Sequence, residues 1–315
     1  MYSKMLCKKY HRQGITGLIL LLLLFVVSTV ALANPEADAD RALFWSIQKS
    51  GEPAGHLLGT IHSEDPRVLD FSENFLSKLK GNRIFAMELV PNLPTLARLT
   101  EYMHLPPGES LESVIGADRF AALSSALSAY NVPAEFISGM KPWAAMMTLS
   151  TPPPVTGFFM DLSLSLRASG SGLKVVGLET LEQQLSFLEN MPMAMQLSLL
   201  DQAIAEFDLV DEAHDQMVDV YLENNLPELQ ALSYEHLQDA GEEVSRYFID
   251  SGIRARNLRM AKSLFPHLEK SSVFVAVGAL HLHGEEGLLN LLRQQGYELS
   301  PLGMPFVKVP AIQEH

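Results

Sequence analysis

One short pattern occurs twice, near opposite ends of the chain: an apolar segment that runs into Gly-x-x-His. The segment 54–61 ends in the copy from Gly59 to His62, and residues 273–277 lead into the copy from Gly278 to His281. Short apolar runs bounded by turn residues predict buried strands. Open α/β sheets place their binding sites at the carboxyl ends of such strands, and glycine permits a tight turn there. The two histidines can therefore meet in one cleft.

The remaining pattern alternates helices with strands at both ends of the chain. Further strands are predicted at 42–48, 83–89, 173–178 and 297–302, and helices at 66–79, 161–168, 191–223 and 285–295. The stretch from about 94 to 225 is mostly helical in pattern, and helices continue to about 268. We predict an α/β fold with a mixed central sheet from N- and C-terminal segments and a large helical insertion. Because no linker-like run divides residues 42–310, we expect a single domain there.

The first 33 residues have the pattern of a secretory signal peptide. Four basic residues precede the apolar run 18–27, and the small-residue exit Ala31-Leu32-Ala33 follows. The alternative is an uncleaved membrane anchor, but the apolar run is short for a span of about 20 residues. We predict cleavage after Ala33, a flexible stretch over 34–41, and a periplasmic or secreted protein that meets the membrane only through its leader.

Charge and cysteine content exclude several classes of protein. The formal charge is −14, and loss of the four leader cations leaves −18, so we expect no nucleic-acid partner. The single cysteine, Cys7, lies in the leader. The mature chain would therefore have no disulfide, no thiolate metal site and no thiol nucleophile.

The residues at the predicted strand ends are typical metal ligands. Glu88 closes the strand at 83–89, while His62 and His281 follow two others. Two imidazoles and a carboxylate commonly hold a divalent metal that keeps a position open for water. The alternative is that each histidine is a hydrogen-bonded structural residue. Asp211, His214 and Asp215 share one helix face, which we interpret as an acidic surface facing solvent.

Several motifs in their order resemble the TraB/PrgY/GumN family. They are Leu57 to His62, Ala86-Met87-Glu88, Lys141-Pro142-Trp143, Gly177-Leu178-Glu179-Thr180, Arg256-Asn257 with Met260, and Val277 to His281 followed by Gly284, Gly287 and Gly296-Tyr297. The resemblance spans roughly residues 43–305. The family is considered distantly similar to erythromycin esterases and to a haem-binding lipoprotein group, and its Tiki members are regarded as metal-dependent proteases.

The resemblance implies roles for particular residues. His62 and His281 would bind the metal, with Glu88 as third ligand or general base. In a mechanism built on these ligands, Arg256 would stabilise an oxyanion or orient Glu88; the alternative is an ordinary ion pair on a helix surface. Three further residues would support the site or bind ligand: Glu179, by holding a histidine tautomer or capping a helix; Asn257, by hydrogen bonding to a ligand or loop; and Asp161, whose chemical role is unassigned.

The resulting hypothesis is an exported metal-dependent hydrolase of protease or peptidase type. The metal would be Mn, Co or Zn, and the substrate a peptide or another small molecule. The alternative is a non-catalytic envelope protein that binds haem, metal or peptide in the same cleft.

Overall fold

A six-stranded mixed sheet lies at the centre of the computed structural model, which describes residues 41–307. The predicted signal peptide, residues 34–40 and residues 308–310 lie outside the described residues. The strands are β1 (Phe44–Lys49), β2 (Glu52–Thr60), β3 (Ile84–Met87), β4 (Lys174–Gly177), β5 (Val273–Gly278) and β6 (Glu298–Pro301). Their order is β4-β3-β5-β2-β1-β6. The first four in that order run parallel, and β1 is antiparallel to both β2 and β6. The predicted α/β fold is confirmed.

Helices fill the two long intervals on either side of β4. In chain order the α-helices are α1 (Pro66–Leu69), α2 (Glu73–Lys80), α3 (Leu93–Tyr102), α4 (Leu111–Ile115), α5 (Ala117–Leu127), α6 (Ala134–Gly139), α7 (Pro142–Leu149), α8 (Met160–Gly170), α9 (Leu181–Glu189), α10 (Met193–Ala205), α11 (Val210–Leu222), α12 (Leu226–Asp239), α13 (Glu242–Tyr247), α14 (Ala255–Leu268) and α15 (Leu288–Gln294). A π-helical segment, Phe248–Arg254, joins α13 to α14, and 3-10 turns occupy Ser128–Tyr130, Phe207–Leu209 and Ala279–His281.

Two hydrophobic clusters hold these layers together. The larger one surrounds the sheet and includes the fully buried Trp45, Phe85 and Phe274. The other lies among the helices of the insertion and includes Trp143 and Leu200. All described residues nevertheless fall within one compact unit.

Parallel pairing of β2 with β5 brings the two Gly-x-x-His motifs to the same edge of the sheet. Gly59 pairs with Val277 and Thr60 with Gly278, so the chain leaves both strands at the same level. The insertion is attached at this point, because the buried Tyr221 hydroxyl of α11 donates a hydrogen bond to the Gly59 carbonyl at 2.7 Å.

Two predicted helices are interrupted. The helix expected over 66–79 divides into α1 and α2, because Phe71 leaves the helix to form an isolated bridge with Phe306 and Ser72 caps α2. The helix expected over 191–223 divides at the 3-10 turn Phe207–Leu209. No helix within residues 41–307 is long and apolar enough to cross a membrane.

Gly55 provides a test of the β2–β5 register. It lies beside an irregularity in the β1–β2 pairing, with φ at +151°, and an added Cβ would lie 1.9 Å from the Val273 carbonyl oxygen. We expect Gly55→Ala to destabilise the fold by about 2 kcal/mol or more and to lower the thermal midpoint by several degrees. Gly170→Ala, where an added Cβ meets no atom within 4 Å, is the control and should leave the midpoint nearly unchanged. Equal midpoints for the two variants would contradict this register.

Candidate active site

Glu88 lies directly after β3, at the sheet edge that carries both Gly-x-x-His motifs. Its Oε1 accepts a hydrogen bond from the Gly278 backbone N–H at 2.7 Å, so the second motif binds it directly. Its Oε2 accepts from Arg256 at 2.6 Å and from Gln184 at 3.4 Å. Glu88 is thus fixed by three elements, β5, α14 and α9, in a pocket where only 19% of its side chain is exposed.

Arg256 lies between two carboxylates. Its Nη2 lies 2.6 Å from Oε2 of Glu88 and 2.6 Å from Oε2 of Glu179, and its Nε also donates to Glu179. Burial opposes the charge of the guanidinium, but the two carboxylates outweigh it and raise the pKa of Arg256 above its usual value. Arg256 therefore remains a cation and holds both acids in place.

The same environment sets the ionisation of Glu88. Burial alone would raise its pKa, but the charges of His281 and Arg256, together with the Gly278 N–H, lower the pKa to about 2. Glu88 is accordingly a carboxylate at neutral pH. A carboxylate with so low a pKa is a poor proton acceptor, which favours a ligand role over a general-base role.

His281 is buried, and Asn257 fixes its tautomer. The ring Nδ1 lies 2.6 Å from Asn257 Oδ1, and because an amide oxygen can only accept, Nδ1 carries the proton. Burial lowers the pKa of His281 to about 4, against the attraction of Glu88, so the ring is neutral at pH 7. Its Nε2 lone pair then lies 3.6 Å from Oε1 of Glu88.

This pair of groups has the chemistry of a cation site. A neutral imidazole lone pair and an ionised carboxylate oxygen face each other across 3.6 Å, and neither has a proton to share. A divalent cation suits both donors. Within residues 41–307, however, no group of three or more His, Cys, Asp or Glu side chains could hold a metal ion. The pair offers two ligands, and the third predicted ligand, His62, remains a hypothesis.

His62 belongs to a second, more exposed group. Its ring is stacked on Phe159, with centroids 4.0 Å apart, and 63% of its side chain is exposed. Its Nδ1 lies 3.7 Å from Oδ2 of Asp161, whose Oδ1 accepts a hydrogen bond from Thr60 at 2.6 Å. Asp161 therefore joins the end of β2 to the first turn of α8 and faces His62.

A cavity of about 400 Å³ connects the two groups. Both Gly-x-x-His motifs contribute to its wall, including His62, Gly278 and His281. The opposite wall comes from α11, α12 and the π-helical segment, so the insertion covers the sheet edge.

The structure revises the interpretation of several residues. Glu179 contacts Arg256 and Arg259 instead of a histidine, and Thr180 provides the cap of α9. Asn257, not Glu179, contacts the histidine. Lys141 pairs with Glu189 at 2.6 Å and is not among the residues that line the cavity.

Some residues of the site carried no recognisable signal in the sequence. Gln184 and the Gly278 backbone N–H bind Glu88, and their proximity depends on the tertiary fold. His214 also differs from expectation: it lines the cavity, whereas Asp211 and Asp215 on the same helix are exposed.

The lowered pKa values predict loss of stability on acidification in two steps. The pKa of His281 is 6.5 in the unfolded chain and about 4 in the folded one. Between pH 6.5 and 4 the unfolded chain therefore binds a proton that the folded chain does not, and the free energy of unfolding falls by about 3 kcal/mol. The pKa of Glu88 is likewise lowered from 4.5 to about 2, so its protonation should lower the free energy of unfolding further between pH 4.5 and 2.

The free energy of unfolding of metal-free protein, measured from pH 7 to about pH 2, follows both steps. His281→Gln should reduce the upper step, to which His56 also contributes because burial lowers its pKa. It should also reduce the lower step, because the His281 charge helps to lower the pKa of Glu88. An unchanged upper step in that variant would contradict the assignment.

Over most of its length the chain is similar, at low sequence identity, to several curated proteins. Metalloprotease TIKI2 of Xenopus tropicalis is 24% identical over 347 residues, covering 89% of this chain and 64% of the relative. Metalloprotease TIKI1 of Homo sapiens is 23% identical, covering 87% and 65%. The uncharacterized protein YbaP of Escherichia coli (strain K12) is 26% identical, covering 76% and 87%. The chain thus spans just under two thirds of the length of the Tiki relatives.

No solved structure is significantly similar to the chain. A sequence profile of the TraB/PrgY/gumN family matches residues 43–301, from β1 to the end of β6. This match includes both Gly-x-x-His motifs, Glu88 and the Arg256-Asn257 pair. The chain therefore belongs to the TraB/PrgY/gumN family.

Proposed function

We propose that this chain is a metal-dependent hydrolase that cleaves peptide bonds. The observation that carries the proposal is the pair formed by the partly buried Glu88 and the buried His281, an ionised carboxylate that faces an imidazole lone pair at 3.6 Å beside a cavity. The similarity to relatives named metalloproteases supports peptide bonds as the substrate class.

Each residue of the pair depends on a partner that keeps it ready to bind a cation. Arg256 keeps Glu88 ionised and oriented, and Asn257 holds the His281 proton on Nδ1, which leaves Nε2 free. Such outer partners tune metal affinity by fixing the ligands. Arg256 is therefore a positioning residue, since its nitrogens contact carboxylates and it is buried.

A divalent metal bound by His281 and Glu88, with His62 as the third ligand from the cavity rim, would lower the pKa of a bound water and polarise the substrate carbonyl. His62 would have to leave its contact with Asp161 for this role. The remaining groups bind and orient: the cavity wall holds the substrate, and Asp161 and Thr60 fix the rim of the site.

Metal binding and hydrolysis should fail together in variants of the pair. We expect purified protein to bind one Mn²⁺, Co²⁺ or Zn²⁺ ion, measured by calorimetry and elemental analysis. His281→Ala and Glu88→Gln should abolish binding and the cleavage of a fluorogenic peptide library. Asn257→Ala should weaken binding by about 10- to 100-fold, as loss of an outer partner does. His62→Ala tests the third ligand.

His267→Ala is the matched control, because this histidine lies at the end of α14 and does not line the cavity. It should retain both metal and activity. Metal binding that survives His281→Ala and Glu88→Gln would exclude this site. Stoichiometric metal or haem binding by a protein that hydrolyses no peptide would instead favour the non-catalytic alternative.

We also propose that the protein is exported. The support is the pattern of residues 1–33, in which four basic residues precede an apolar run and an Ala-x-Ala exit. Mass spectrometry of the protein from the periplasm or culture medium should give an N-terminus at Asn34. A chain that retains residues 1–33 after fractionation would contradict this proposal.

A further inference from the structure

We propose that the cavity beside His281 receives a large uncharged side chain of the substrate, so that the enzyme selects peptide bonds next to an apolar residue such as leucine or phenylalanine. This inference rests on the proposed hydrolytic function and specifies its substrate.

The first argument is the chemistry of the wall. Among the described residues that line the cavity, none is Asp, Glu, Lys or Arg. Much of the wall is apolar, with Met217 from α11, Leu229 from α12, Ile253 from the π-helical segment and Leu280 beyond β5. Although 19% of the chain's residues are Asp, Glu, Lys or Arg, none of them lies in this wall. The wall therefore has no such side chain to pair with a carboxylate or ammonium group of a substrate. Moving a charge from water into this space is therefore unfavourable.

One hydroxyl in the helical part of the wall is used internally, while the imidazoles of His214 and His236 are further polar groups there. The Ser233 hydroxyl, which is buried, donates to the Leu229 carbonyl at 2.7 Å, within the same helix. Its oxygen also lies 3.8 Å from the sulfur of Met217. This side chain therefore contributes packing surface instead of a binding group for a polar substrate.

The second argument is position. His281 and Gly278 lie in the wall, and Glu88 contacts the backbone N–H of Gly278 while facing His281. A side chain in the cavity would consequently place its own backbone near the Glu88–His281 pair. A volume of about 400 Å³ lies within the range of ligand cavities, which begins at about 300 Å³.

Filling the cavity tests the inference. Ala213 of α11 lines the cavity, whereas Ala121 of α5 is exposed and outside it, so Ala213→Phe and Ala121→Phe form a matched pair. Binding of N-acetyl amides of leucine, phenylalanine, tryptophan, glycine, aspartate and lysine to the full-length protein is measured by ligand-observed NMR. Cleavage of peptides that differ at one position is measured in parallel.

We expect the leucine and phenylalanine amides to bind best. Ala213→Phe should weaken their binding, and the cleavage of matching peptides, by about 10- to 200-fold and leave the glycine amide unchanged. Ala121→Phe should change nothing. Met217→Ala should enlarge the cavity and improve binding of the tryptophan amide, which keeps the test valid if Ala213→Phe does not fold.

Aspartate or lysine amides that bind as well as leucine amide would overturn the inference, as would folded Ala213→Phe protein with unchanged preferences. Apolar preference in binding without hydrolysis of any peptide would overturn the proposed function alone. Hydrolysis without apolar preference would overturn the inference alone.

Discussion

The site depends on one buried cation, Arg256, held between Glu88 and Glu179. These acids follow β3 and β4, adjacent parallel strands whose hydrogen bonding continues past their ends, where the Glu179 N–H donates to the Glu88 carbonyl. Two neighbouring buried carboxylates without a cation would repel each other and take up protons. Arg256 therefore permits an ionised Glu88 at this edge of the sheet. Its removal would leave buried charge uncompensated, a change that commonly costs about 3–5 kcal/mol.

The second constraint is the register of β2 and β5. Because Thr60 pairs with Gly278, the two Gly-x-x-His motifs leave the sheet side by side although they lie near opposite ends of the domain. Their histidines then enter different surroundings. His281 is buried against Asn257, while His62 is exposed against Phe159 and Asp161. The cavity between them is covered by α11 and α12, and it connects the buried His281 with the exposed His62.

The sequence predicts the strands well because β2, β3 and β5 are short apolar runs that end in Gly-x-x-His or Glu. It predicts less about what depends on tertiary contact. The break at Phe71 arises from its bridge with Phe306, and the inward orientation of His214 depends on how α11 packs over the sheet edge. The pairing of Glu179 with Arg256 crosses 77 positions in the chain, so local pattern could not separate this role from helix capping. The polar partners of Glu88 and His281, Gln184 and Asn257, likewise lie on helices far away in sequence.

We propose that the Glu88–His281 pair holds a divalent metal. Crystals soaked in Mn²⁺ and measured for anomalous scattering test it most directly. We expect an anomalous peak at about 2.0–2.3 Å from both His281 Nε2 and Glu88 Oε1, a position that their separation of 3.6 Å already permits. The peak should vanish in Glu88→Gln crystals. No peak at millimolar Mn²⁺, or a peak bound by other residues, would contradict the claim.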